Sequence, residues 1–93
     1  MTDDDADRAA ELFKALASAS RLRLLTALVA SPSDVTGLAA QTGLSQPLVS
    51  QHLRTLRLAG LVDVARAGRG ATYSIHDEHV AHIFLAAYQH TRE

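Results

Sequence analysis

Apolar residues return every three or four positions along most of this chain. Ala9, Leu12, Phe13 and Leu16 fall at i, i+3, i+4 and i+7, which is one stripe of a helix and predicts a first helix within residues 6–17. After a serine able to cap, Leu22, Leu25, Leu28 and Val29 repeat the pattern until Ser31-Pro32-Ser33 stops it. A third, short helix starts near Asp34 or Thr36, turns Leu38 and Ala39 inward and ends at Gly43, a residue suited to the left-handed position after a helix. Ser45 then caps a fourth helix, in which Pro47 is tolerated because first-turn amides have no intrahelical partner; Val49, Leu53 and Leu56 form its buried face, and it ends near Gly60.

The period then changes from helical to alternating. Residues 62–66 and 71–75 read as two strands joined by Ala67-Gly68-Arg69-Gly70, a hairpin with a basic tip. Asp77 caps a last helix whose apolar stripe is Val80, Ile83, Phe84 and Ala87. The expected fold is mainly α with a β-hairpin, in the order α-α-α-α-β-β-α, as one domain over residues 1–93 with residues 1–7 a disordered acidic tail.

At 93 residues the chain buries only about two-thirds of its unfolded surface, so dimerisation is an expected source of further stability. No apolar run reaches the roughly 18 residues of a membrane span. The four aspartates among the first seven residues are the wrong chemistry for a signal peptide. A cytoplasmic protein without membrane partners is therefore expected. The absence of cysteine excludes disulfides, thiolate ligands and thiol redox sensing, so any metal must use His, Asp or Glu.

The net charge of −1 suits a nucleic-acid binder poorly until its distribution is considered. Between Ser45 and Gly70, Arg54, Arg57, Arg66 and Arg69 face one acid, Asp63, and the rest of the chain carries the negative excess. Helices three and four with the turn at Gly43-Leu44 form a helix-turn-helix, whose second helix enters the major groove. Gln46, Ser50, Arg54 and Arg57 share its outer face, opposite Val49, Leu53 and Leu56. Ser45, Gln46, Ser50 and Gln51 lie early enough to reach base edges, Arg54 and Arg57 suit phosphates, and Arg66 and Arg69 on the hairpin reach toward the adjacent groove. A solvated basic face is the ordinary alternative.

The stretch SQPLVSQHLRTLRLAGLV at residues 45–62, with ASASRL at residues 17–22, resembles the ArsR/SmtB family of bacterial repressors over about Ala9 to Glu93. The resemblance implies a winged helix-turn-helix that dimerises through its terminal helices, in a family rich in metal sensors. Soft-metal sensors of the family carry cysteines on the third helix, where this chain has Val35-Thr36-Gly37-Leu38. Pro47 replaces a residue that is often serine in relatives, and proline offers no side-chain hydrogen bond to a base.

On the last helix, His79 and His90 are eleven residues apart, three turns plus about 20°, and so share a face with Glu93 nearby. They are also separated by about 16 Å along the axis, whereas zinc needs ligands near 2 Å, so one helix cannot close one site. If two copies pack this helix antiparallel, Asp77 and His79 of one meet His90 and Glu93 of the other, giving two equivalent four-ligand sites. The same four positions match the last-helix site that the resemblance implies for zinc-sensing members. Zinc is the expected ion, with cobalt and nickel as alternatives. His76 and His82 could supply additional ligands; His52, and His76 at the strand-helix junction, otherwise read as structural, and His82 is left open between a ligand or supporting role and none.

The expected function is a metal-responsive repressor that binds a palindromic operator as a dimer and is released by zinc. The rival is a family member without a metal site, constitutive or responsive to a small molecule. An enzyme is disfavoured by the absence of an HExxH pair and of a general base beside an open metal position.

Overall fold

The computed structural model describes all 93 residues. Five helices, α1 (Asp3–Leu16), α2 (Ala19–Ala30), α3 (Val35–Thr42), α4 (Gln46–Leu58) and α5 (Glu78–Thr91), accompany an antiparallel hairpin, β1 (Val62–Ala67) and β2 (Gly70–Ile75). The order is the one expected. Each helix starts on an oxygen-bearing cap: Thr2, Ser18, Asp34, Ser45 and Asp77 accept hydrogen bonds from the backbone N–H groups of Asp5, Arg21, Gly37, Leu48 and Val80.

Residues 1–7 correct the expectation of a disordered tail, because α1 begins at Asp3. Thr2 and Asp5 form a reciprocal capping box, and Asp3, Asp4 and Asp5 place negative charge at the positive end of the helix dipole. An acidic run that looks like a solvated tail is therefore also a good helix start.

The core gathers Leu24, Leu25, Leu28, Leu38, Val49, Leu53, Leu56, Leu61, Val62, Val80 and Phe84, with Ala15 and Leu16 from the end of α1. Four residues of the apolar stripes, Ala9, Phe13, Val29 and Ala87, are exposed. Phe13 is 61% exposed and Val29 42% exposed, since the predicted stripes of α1 and α2 are wider than the surface the core offers them. Phe13 instead borders a groove of about 230 Å³ lined only by apolar residues, including Leu16, Leu22, Ile83, Phe84 and Ala87.

Gly43 turns the chain between α3 and α4 with φ 75°, the left-handed conformation that glycine adopts without Cβ strain. A Cβ at Gly37 would meet Ser33 Oγ at 2.5 Å and Asp34 Oδ1 at 3.1 Å, so a larger residue there requires those side chains to shift. Ser33 in turn pairs with Tyr73 through two backbone hydrogen bonds of 3.0 and 2.8 Å, so the loop before α3 lies against β2 and ties the hairpin to the helical body. Helix α5 is held by buried Phe84 and by the 2.9 Å hydrogen bond to Thr26 Oγ1 on α2 from Tyr88 Oη, whose ring meets that of Phe84 edge-on.

Candidate nucleic-acid and metal-binding surfaces

Helix α4 separates its two faces cleanly. Val49, Leu53 and Leu56 are fully buried, while Gln46, Ser50, Gln51, Arg54 and Arg57 are exposed. The capping hydroxyl of Ser45 accepts from the Leu48 N–H, which leaves its proton free to donate outward. Arg66 lies near the end of β1, and Arg69 follows Gly68, whose φ of 59° is the positive value that a type II′ hairpin turn places at its first position. None of these four arginines forms an ion pair within the chain. Their charge is thus available to an anionic partner such as a phosphate backbone. His52, on the flank of α4, is held below its ordinary pKa by partial burial and by the Arg21 guanidinium.

The candidate metal residues fall into two pairs at opposite ends of α5. Asp77 Oδ2 lies 3.6 Å from His79 Nδ1, and His90 Nδ1 lies 3.8 Å from Glu93 Oε2. Asp77 commits Oδ1 to the Val80 N–H at 3.1 Å, and this cap lowers its pKa first of all, so the carboxylate stays anionic with Oδ2 turned to the imidazoles. The side chains of His79 and His90 are 90% and 85% exposed. Two imidazoles and two carboxylates in this open setting are donors that a borderline ion such as zinc accepts. No three His, Asp or Glu side chains of one chain already surround a common point. Each pair offers two candidate donors. His82 is exposed on the same side of α5 and contacts neither pair.

One residue pair escaped the sequence reading. His76 Nδ1 lies 3.0 and 3.1 Å from the two oxygens of Asp63 on β1, and this hydrogen bond raises the His76 pKa. The signal was present: strands over 62–66 and 71–75 already pair Asp63 with Ser74, which makes His76 its diagonal neighbour. Asp63, the one acid among the arginines of residues 45–70, is thus the partner of His76.

Comparison with known proteins agrees with this geometry. Residues 18–64 match the profile described as bacterial regulatory protein, arsR family. The chain is similar to the transcriptional repressor SmtB homolog of Synechocystis sp., with 42% identity over 93 residues covering all of this chain and 70% of that protein. It is similar also to the HTH-type transcriptional regulator NmtR of Mycobacterium tuberculosis, with 45% identity over 86 residues covering 92% of this chain and 72% of the relative. Among solved structures, the homodimeric winged helix-turn-helix DNA-binding domain of a possible ArsR-family transcriptional regulator from Mycobacterium bovis superposes with a TM-score of 0.88 at 32% identity, covering 100% of this chain and 89% of that one. With helix-turn-helix, wing and sequence in agreement, the chain belongs to the ArsR family of bacterial regulatory proteins, and is a winged helix-turn-helix transcriptional regulator rather than an enzyme.

Proposed function

We propose that the chain works in the cytoplasm as a homodimeric repressor that binds a palindromic operator and is released from it by zinc, with cobalt and nickel as alternative ions. The observation that carries this reading is the pair of His–carboxylate half-sites at the two ends of α5: Asp77 with His79, and His90 with Glu93. A half-site binds a divalent ion weakly, and two copies with antiparallel α5 helices complete two full sites. Bound zinc supplies a cross-link between the copies through two imidazole nitrogens and two carboxylate oxygens. The apolar groove between α1 and α5, with Phe13 at its rim, supports a dimer through the terminal helices, since water-exposed apolar surface gains from being covered. The homodimeric state of the Mycobacterium bovis domain supports a homodimer.

On DNA, Gln46, Ser50 and Gln51 take the base edges with Ser45, while Arg54 and Arg57 hold phosphates and Arg66 and Arg69 on the wing reach the flanking groove. The test is a zinc titration of the dimer on its own promoter DNA, read by fluorescence anisotropy. Wild-type protein is expected to leave the DNA as zinc rises, and His90→Ala to bind DNA equally well but stay bound. Release of His90→Ala at the wild-type zinc concentration would overturn the ligand assignment. Failure of wild-type protein to take up zinc in equilibrium dialysis would favour the metal-free rival.

A further inference from the structure

Beyond the two half-sites, we propose that His76 is a third metal donor at the Asp77–His79 end of α5, its ring oriented by a hydrogen bond to the Asp63 carboxylate; this rests on the zinc-binding reading above. A histidine that ligates a metal through one ring nitrogen commonly donates its other N–H to a carboxylate, which fixes the tautomer and the ring plane. Asp63 and His76 already hold this arrangement, with both carboxylate oxygens of Asp63 within 3.1 Å of His76 Nδ1. A proton on Nδ1 leaves the lone pair on Nε2. That nitrogen is turned to the candidate site, 3.9 Å from Asp77 Oδ2, the same oxygen that lies 3.6 Å from His79 Nδ1.

Two donors each about 2.0–2.2 Å from one zinc ion stand about 3–3.5 Å apart. The observed separations exceed this by a few tenths of an ångström, a change that side-chain torsions at exposed residues supply. His76 lies in the junction between β2 and α5 with its backbone N–H donating to Leu61 O and its ring held by Asp63, so the adjustment falls to the exposed Asp77 and His79 side chains. With His76 engaged, the set becomes three imidazoles and two carboxylates. That number suits an ion that accepts more than four ligands and would shift preference from zinc toward cobalt or nickel. The coordination would also connect to β1 through the His76–Asp63 hydrogen bond, because Asp63 is a residue of that strand.

The experiment uses full-length protein with 15N-labelled histidine, titrated with zinc and followed by ring-nitrogen correlation spectra. Movement of His76 Nε2 to a metal-coordinated shift, with Nδ1 still protonated and with His79 and His90 moving in parallel, is the expected result. Asp63→Asn, with far-UV circular dichroism as the folding control, is expected to lower zinc affinity about 10–100-fold. His76→Asn is expected to weaken binding as well. If only His79 and His90 move, His76 is not a donor and the proposal is overturned, whatever the variants do to affinity. If no histidine ring responds to zinc, both this assignment and the metal-responsive reading fail.

Discussion

Helices α4 and α5 are built on one plan and finished differently. They have 13 and 14 residues, each starts on a capping side chain, and each buries one apolar face. The outer face of α4 is complete in a single chain: its glutamines, serine and arginines stand side by side, unpaired, ready for a partner as long and as repetitive as they are. The outer face of α5 is divided, with one His–carboxylate pair at each end. A groove of DNA can be read by a row of residues along a rod. An ion must be surrounded, and a rod cannot surround anything by itself.

The sharpest break in that comparison sets the inner face of α5 against its outer face. Phe84→Ala removes a side chain that is 1% exposed and is expected to cost about 3–5 kcal/mol in urea unfolding. His90→Ala, on the exposed side, is expected to leave the unfolding midpoint unchanged. On α4 the corresponding outer-face change is Gln46→Ala, expected to cost about 1–3 kcal/mol at one operator base pair and to relax sequence preference there, measured by binding to operators substituted base by base. Arg54→Ala should act on all sequences alike, and the slope of log affinity against log salt should fall by about one.

The smallest effect is in pH dependence, where the two regions carry opposite signs. His76 has its pKa raised above the ordinary 6.5 by the Asp63 hydrogen bond, so its contribution to stability is full below that value and is lost as pH rises through the raised folded-state pKa. His52 is lowered from 6.5 by burial and by Arg21, so its contribution is full above that value and is lost as pH falls through the lowered folded-state pKa. Thermal melts of metal-free protein across this range should show Asp63→Asn removing the first dependence and His52→Gln the second. If the two variants melt with the same pH profile as wild type, the local pairings do not differ as described.

Most of the scaffold was legible because it is written in local chemistry. The periods of Leu53 and Leu56 on α4, the serine at 45 and the glycine at 43 each constrain their own neighbourhood, and element order follows from them. The misreadings arose where two local signals overlap: the aspartates at 3, 4 and 5 suit a solvated tail and a helix start equally, until Thr2 closes the capping box. The candidate site was legible in residue type but not in completeness. Asp77, His79, His90 and Glu93 stand as candidates by their spacing together with the family resemblance, whereas the Asp63–His76 pair is long-range, joining residues 13 apart in sequence.

What the sequence determined by itself was therefore the set of elements, the basic face of α4 and the hairpin, and the division of α5 into two polar ends, since each depends on residues within a few turns of one another. Only the tertiary structure decided that Phe13 borders an apolar groove, that Ser33 pairs with Tyr73, and that Asp63 hydrogen-bonds to His76. Those outcomes depend on distances between separate elements, which are set by how the core packs and not by any one element's own pattern.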